Sequence, residues 1–343
     1  MYKSSVIAVV TRPTRLKGLV ARWGTKGAAM FRLRLAHAHE RDRVTTAATS
    51  GRRPPRGPGT AAAMGEPAPA AAEFTEYEQE DRVYQAVLDQ LRDELDLGCP
   101  VAFVDRDFLP NYSFSGCVAV VVVGQDGLVA NTAKYVGDIP IVAVNPDPAR
   151  IDGILLPFQV GDARRAVQRV LKGTAEINHV TLAEAILNDG QRLLAFNDLF
   201  VGCSGHASAR YVLRVGDRVE PQSSSGMLIA TGAGSTGWLS STFNMYQGFS
   251  AWLGAEPRPP ITLDWDDARL AWVVREPFRS KQSEASLVAG LLADGSELVV
   301  ESLMPSRGVI FSDGIESDFL EFNTSAIAHI RRSQQQARLV AAP

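Results

Sequence analysis

Short apolar runs, separated by a helix-like pattern, characterise the first half of the chain. They predict strands at 5–10, 101–104, 118–123 and 141–144. Apolar residues at helical spacing predict a helix ahead of the second strand; they are Val83, Val87, Leu91 and Leu95. The run at 118–123 is apolar throughout, as is typical of a strand buried on both faces of a parallel sheet. The alternation predicts a doubly wound α/β domain over residues 1–175.

The second half of the chain is dominated by short strand signals. Apolar runs between turn residues predict strands at 192–196, 199–202, 209–215, 226–231, 270–274, 285–292, 297–301 and 308–312. Few helical patterns interrupt these runs. We therefore expect a β-rich second domain over residues 176–310, built on antiparallel pairs of strands.

One segment lacks any periodic pattern. Residues 45–72 consist mainly of Gly, Pro, Ala, Thr and Arg, and they predict a disordered insertion because such a composition buries too little apolar surface to offset chain entropy. Thr75 and Glu78 follow with the spacing of a capping box. This spacing predicts that the next helix begins at Thr75.

Composition narrows the class of protein. A chain of 343 residues is long enough for two domains. Its net charge of −3 gives no reason to expect nucleic acid or an anionic membrane as a partner. No apolar run approaches the ~20 residues of a membrane span. The three cysteines are widely spaced, so we expect buried thiols in a reducing compartment and no metal site.

Charge is distributed unevenly along the chain. Residues 1–65 contain thirteen Lys or Arg and two acidic residues, a balance that also occurs in mitochondrial transit peptides. The strand signal at 5–10 instead favours a folded first strand. Together with the abundance of Ala and Arg, it favours a bacterial, cytoplasmic protein, with the mitochondrial matrix as the alternative for a eukaryotic one.

The first candidate for chemistry is the loop Gly124-Gln125-Asp126-Gly127, directly after the apolar run at 118–123. In parallel sheets, ligands bind beyond the carboxyl ends of the strands, where this acid is expected to lie. The two glycines allow a phosphate group to approach the backbone, and the helix predicted at 128–135 directs its amide end to the same place. A carboxylate repels phosphate, so we expect Asp126 to have a chemical or metal-linked role rather than to bind phosphate. An ordinary strand-to-helix turn with an Asp cap is the alternative.

The second candidate is the loop Thr231-Gly232-Ala233-Gly234-Ser235-Thr236-Gly237-Trp238, which follows another predicted strand. It is not a phosphate-binding loop of the Gly-Lys-Ser/Thr type, and its place in the β-rich half argues against a dinucleotide-binding fingerprint. Ser235 and Thr236 can donate hydrogen bonds to a sugar or phosphate, and Trp238 can stack on a base. The alternative is a tight turn beside a core tryptophan.

Taken in order, the Asp126 loop, the pair Asn197-Asp198 and the Thr231–Trp238 loop resemble the motifs of the NAD kinase family, which are Gly-Gly-Asp-Gly, Asn-Glu and a Thr-Gly-Ser-Thr-Ala-Tyr-like sequence. Further landmarks resemble the mitochondrial-type branch; they are Asn145-Pro146-Asp147-Pro148, Ser224-Ser225-Gly226, Arg275-Glu276-Pro277, Asp313-Gly314 and Glu321-Phe322-Asn323. The likeness covers nearly the whole chain except residues 45–72.

The resemblance implies ATP-dependent phosphorylation of the adenosine ribose 2′-hydroxyl of NAD. Asp126 would take the hydroxyl proton, while Gly124, Gln125 and Gly127 wrap the pyrophosphate. Ribose hydroxyls or adenine would be held by Asn197 and Asp198, and the nucleoside pocket would be lined by Thr231, Gly234, Ser235, Thr236 and Trp238. ATP and Mg²⁺ are the implied cofactors. A homo-oligomer, dimer or tetramer, and a return of residues 311–343 to the first domain are also implied.

Four positions depart from the family pattern. Gln125 replaces a glycine, Leu128 stands where many members carry a hydroxyl, Asp198 replaces Glu, and Trp238 replaces Tyr. If position 125 requires positive φ, Gln carries a steric cost of ~1 kcal/mol or more. Two other functions therefore remain open: a related kinase acting on a lipid or sugar hydroxyl, and a dinucleotide-binding protein without catalysis.

Overall fold

A computed structural model describes residues 5–49, 69–256 and 258–342. The first part of the chain forms β1 (Val6–Thr11), α1 (Arg15–Trp23), α2 (Lys26–Thr49), α3 (Pro69–Glu94), β2 (Val101–Asp105), β3 (Cys117–Val123), α4 (Asp126–Ala133), β4 (Ile141–Val144) and α5 (Ala163–Leu171). None of the described helices is long and apolar enough to cross a membrane.

The four strands of this part run parallel in the order β2-β1-β3-β4. Strand β3 lies between β1 and β4, and both of its faces are covered by helices. Val120 and Val122 pack against α4, whereas Val121 and Val123 pack against α3 and α5. A strand enclosed in this way has no polar face, which explains its uniformly apolar sequence. The predicted doubly wound parallel sheet is confirmed.

The rest of the chain forms β5 (Ile177–Leu187), β6 (Arg192–Ala195), β7 (Asp198–Cys203), β8 (Ala209–Val215), β9 (Arg218–Ser224), β10 (Met227–Ala230), α6 (Trp238–Trp252), β11 (Leu270–Val274), β12 (Ala289–Leu292), β13 (Leu298–Ser302), β14 (Gly308–Ser312), β15 (Ile315–Glu321) and β16 (Ile327–Val340). Its core lies between two sheets and contains Leu199, Tyr211 and Ile229, each fully buried.

Six of these strands form a separate antiparallel sheet in the order β12-β11-β10-β7-β14-β15. The others extend the parallel sheet. Strand β16 pairs with β4 in parallel and with β5 and β13 in antiparallel orientation, so one sheet of ten strands joins the two halves of the chain. The segment 311–343 is therefore divided: β15 belongs to the antiparallel sheet and β16 to the ten-stranded one.

Two sequence predictions about helices were wrong. Residues 45–49 and 69–72, predicted to be disordered, lie in α2 and α3; the remainder of that segment, 50–68, is outside the described residues. Thr75 does not begin a helix, because α3 already begins at Pro69. Helices α1 and α2 were not predicted, although Thr14 caps α1 by accepting a hydrogen bond from the backbone N–H of Lys17 at 3.3 Å.

Helix α3 is held on the sheet by its apolar face, and Leu91 is fully buried there. We expect Leu91→Ala to lower the free energy of unfolding by about 2–5 kcal/mol, because the substitution leaves a cavity between helix and sheet. Urea denaturation measures the change. Gln90→Ala alters the neighbouring exposed position and serves as the control. Equal stability of the two variants would show that α3 is not docked as described.

Candidate functional site

The glycine loop follows β3 at the edge where the parallel strands end. Gln125 adopts extended backbone angles, with φ −123° and ψ 166°, and α4 begins at the next residue, Asp126. The positive φ that would have penalised a side chain at position 125 is therefore absent. A Cβ atom on Gly124 would lie 2.8 Å from Cδ2 of Leu128, so the glycine leaves room for the buried leucine. Both departures from the family pattern are accommodated without backbone strain.

Asp126 is fixed by a hydrogen bond to a neighbouring loop. Its Oδ1 atom accepts from the backbone N–H of Leu155 at 2.7 Å. The half-buried carboxylate lies at a cavity of about 390 Å³, which we call the acid cavity. Because the carboxylate is held on one side by an amide and faces a space large enough for a sugar, it is positioned to accept a proton from a bound hydroxyl.

The acid cavity is built from both halves of the chain. The residues on its wall include Asp126, Gly127, Leu155, Asn197, Asp198, Thr236, Gly237, Trp238, Asp313 and Gly314. Asp126 and Gly127 come from the first turn of α4, whereas Asn197 and Asp198 come from the turn that leads into β7. The site thus lies where the parallel sheet meets the antiparallel one.

Asp313 organises the turn that carries Asn197 and Asp198. Its carboxylate accepts three successive backbone hydrogen bonds, from Phe196 at 3.1 Å, Asn197 at 2.6 Å and Asp198 at 3.3 Å. Its own N–H donates to the carbonyl of Asp198 at 3.0 Å. Asp313 adopts a left-handed φ of 54°, a conformation that Asp tolerates better than most residues. The conformation of the Asn197–Asp198 turn therefore depends on one buried carboxylate.

Lys134 connects that carboxylate to the helix of Asp126. It lies directly after α4, with Nζ 3.7 Å from Oδ2 of Asp313 and 2.8 Å from Oγ of Ser312. Both side chains of the ion pair are only 2% exposed. Burial raises the pKa of Asp313, opposed by Lys134 and the three amides, and the same burial lowers the pKa of Lys134. Neither residue was among the predicted site residues.

Asp198 is the second acid of the cavity. Burial, with a smaller contribution from the negative charge of Asp313, raises its pKa from 3.8 to about 7. With Asp126 and Asp313, the cavity wall therefore has three carboxyl groups in different environments, and Asp198 is more enclosed than Asp126. A protonated Asp198 can donate a hydrogen bond to a ligand oxygen, and an ionised one can accept from a hydroxyl.

Some residues of the Thr231–Trp238 loop support the acid cavity from behind, and others line its wall. Thr231 is fully buried, and its hydroxyl donates to the carbonyls of Phe196 at 2.6 Å and Asn197 at 3.2 Å. Ser235 is buried, and its hydroxyl donates to the carbonyl of Gly232 at 2.7 Å. A Cβ on Gly234 would lie 2.0 Å from the carbonyl oxygen of Asn197, so only glycine fits there. These residues hold the turn of Asn197 from behind.

Trp238 lies on the other side of the loop, in contact with an aromatic cluster. Its ring stacks on Phe200 with centroids 5.7 Å apart and an interplanar angle of 11°. Arg275 lies above both rings, 5.1 Å from the centroid of Trp238 and 5.8 Å from that of Phe200. Part of Trp238 remains open to the acid cavity, so a flat ligand group has an aromatic surface to contact there.

The predicted site residues thus fall into three groups. Asp126, Gly127, Asn197, Asp198, Thr236 and Trp238 meet at the acid cavity. Thr231, Gly234 and Ser235 support that cavity from behind. Gln125 lines a second cavity together with Arg12, whose side chain packs on Gly124.

Comparison with known proteins gives a structural match only. No protein-family model and no curated protein sequence matches the chain. Yeast NADH kinase complexed with NADH is similar in structure, with a TM-score of 0.50 and 16% identity over 99% of this chain and 84% of that one. An NAD kinase from Archaeoglobus fulgidus in complex with ATP is also similar, with a TM-score of 0.51 and 16% identity over 74% and 89% of the two chains. The chain has the fold of these kinases.

The raised pKa of Asp198 makes stability depend on pH. Its folded pKa exceeds its unfolded value, so the cost of ionising it is absent below about pH 4 and grows as the pH rises towards 7. We expect Asp198→Asn to gain stability relative to the native protein by about 1 kcal/mol per pH unit over this range. Denaturation from pH 4.5 to 7.5 measures the difference. A flat difference, like that expected for the exposed control Asp217→Asn, would contradict the assignment.

The buried ion pair predicts a second stability effect. Lys134→Met leaves the carboxylate of Asp313 buried without its cation, so we expect a loss of about 3–5 kcal/mol in the free energy of unfolding. The exposed Lys172→Met is the matched control and should change stability by less than about 0.5 kcal/mol. Chemical denaturation of both variants at pH 7.5 decides the question. Similar free energies of unfolding for the Lys134→Met and Lys172→Met variants would show that Lys134 does not neutralise Asp313.

Proposed function

We propose that the protein is an NAD kinase, which transfers the terminal phosphate of ATP to the adenosine ribose 2′-hydroxyl of NAD. One observation carries the proposal. The fold brings Asp126, a carboxylate fixed by the N–H of Leu155, and the pair Asn197–Asp198 from two different sheets to a single cavity. This arrangement offers a proton acceptor and hydrogen-bonding groups for a sugar diol in one place.

Each residue at the acid cavity has a role in this proposal. Asn197 and Asp198 hold the ribose hydroxyls, and Trp238 provides an aromatic surface for the adenine. Gly127 has no atom within 4 Å of the position where a Cβ would lie, so the backbone there is open to a ligand. Thr236, exposed on the loop, is available to donate a hydrogen bond. Asp126 accepts the proton.

The reaction needs alignment and proton acceptance more than covalent participation by the protein. The 2′-oxygen forms a new bond to the γ-phosphorus of ATP, while the bond between that phosphorus and the β,γ-bridging oxygen breaks and ADP leaves. The hydroxyl proton passes to the carboxylate of Asp126. The hydrogen bond from Leu155 orients this carboxylate, and the turn built on Asp313 fixes the acceptor sugar opposite it.

Magnesium is expected to arrive with the nucleotide. Among the described residues, no group of three or more His, Cys, Asp or Glu side chains is arranged to hold a metal ion. When bound to the phosphates, Mg²⁺ offsets their negative charge. Asp126, the carboxylate of the glycine loop, would contact such an ion. The carboxylates of the site therefore suit an ion that binds together with the nucleotide.

Several findings support this function over the alternatives. Two solved structures of similar fold are a kinase complexed with NADH and a kinase complexed with ATP. The acid cavity brings together the polar side chains of Asn197, Asp198 and Asp126, which suit the hydroxyl groups of a sugar. Gln125 adopts an ordinary extended backbone, so it gives no structural reason for loss of catalysis.

The role of Asp126 is tested by NADP production from NAD, ATP and magnesium. Asp126→Asn keeps the size of the side chain and the acceptor oxygen for the N–H of Leu155, but removes the proton acceptor. We expect the rate to fall roughly 10²-fold or more, with the thermal unfolding temperature nearly unchanged. Asp138→Asn, exposed beyond α4, is the control. Equal rates for the native protein and Asp126→Asn would refute the role of this residue.

A further inference from the structure

A second cavity of about 350 Å³ is lined by Gln125 of the glycine loop. Gln125 and Ile151 line it, whereas the adjacent Asp126 and the nearby Leu155 line the acid cavity. We call it the arginine cavity because three guanidinium groups face it, those of Arg12, Arg15 and Arg150. Neighbouring residues of the same two loops thus line two cavities of different chemical character.

Arg12 is built into the end of the parallel sheet. Its backbone N–H donates to the hydroxyl of Tyr84 at 3.0 Å, and that hydroxyl donates to the carbonyl of Val123 at 2.9 Å. Its Cδ lies 3.7 Å from the position of a Cβ on Gly124, so the side chain packs on the glycine loop. Nε of Arg12 is buried and has no hydrogen-bond partner among the described residues. A buried donor of this kind favours a ligand acceptor.

The charges around the cavity leave positive charge in excess. Glu80 accepts from Arg12 at 3.0 Å and from Arg15 at 2.5 Å, so one carboxylate is shared by two guanidinium groups. Burial raises the pKa of Glu80, but the hydrogen bonds from Arg15 and Arg12 outweigh it and the net shift is downward. Arg150 has a looser contact, 3.6 Å from Asp147. Three cations and two carboxylates line a space that an anion can enter.

We propose that the arginine cavity binds the phosphates of the donor nucleotide, a proposal that rests on the proposed kinase function. Planar guanidinium groups suit phosphate oxygens, and Nε of Arg12 would gain the acceptor that it lacks. The amide of Gln125 adds a donor at the position where the family pattern has glycine. Asp126, which lines the acid cavity, directly follows Gln125, which lines the arginine cavity, so the proton acceptor adjoins the donor phosphates.

The proposal is tested with variants of the two more accessible arginines. Arg15→Gln and Arg150→Gln each remove one positive charge while the chain retains Arg12, whose burial makes its substitution a risk to folding. We expect each to raise the KM for ATP about 10–100-fold, because charge-assisted hydrogen bonds to phosphate are lost. The KM for NAD should change by less than about 2-fold. Arg22→Gln, on the same helix as Arg15 but outside the cavity, is the control.

Calorimetric binding of inorganic tripolyphosphate to the full chain separates this proposal from the kinase assignment. If the native protein binds tripolyphosphate and both variants bind it about 10-fold or more weakly, the cavity assignment stands even when no NADP forms. If NADP forms and both variants retain the native KM for ATP, the cavity assignment is wrong and the kinase assignment stands. If the native protein binds neither tripolyphosphate nor ATP, the cavity assignment is wrong.

Discussion

The buried carboxylate of Asp313 is the constraint on which the site depends most. A carboxylate that accepts three backbone N–H groups is stable in a dry environment only with a compensating charge, which Lys134 supplies. Because Lys134 directly follows the helix that begins at Asp126, the same interaction joins this helix to the turn of Asn197 and Asp198. The two halves of the site therefore have a fixed relative position before any ligand arrives.

Much of the fold was predictable because its signals are local. The uniformly apolar β3 and the short strands β7, β10 and β14 each fall where their apolar runs predicted them. The glycine loop was predictable for the same reason, since a strand ending in Gly and Asp is visible within ten residues. The extended backbone of Gln125 was not, because a φ angle depends on the surrounding structure and not on residue type alone.

The parts that could not be predicted depend on distant partners. Lys134 and Asp313 are far apart in sequence, and although Asp313-Gly314 resembles a family landmark, no pattern indicates that Asp313 pairs with Lys134. Strand β16 carries Arg331, Arg332 and a run of three Gln, a composition that gives no strand signal, yet its backbone pairs with three strands. Ser235 was predicted at the ligand surface, but its hydroxyl is engaged by a backbone carbonyl, a distinction that only packing reveals.

Strand β16 also has a consequence for how the molecule assembles. Its register places Leu339 beside Ile141, and Ala328 beside Leu187, so the ten-stranded sheet closes only when residues beyond 327 join strands formed much earlier in the chain. Pairings of such long sequence separation are slow to form, because the entropy of loop closure opposes them until they are complete. During synthesis, Phe158 pairs early with the Val144 end of β4, whereas the Ile141 end has no partner on that side until Leu339 is made, and protection from aggregation matters in that period.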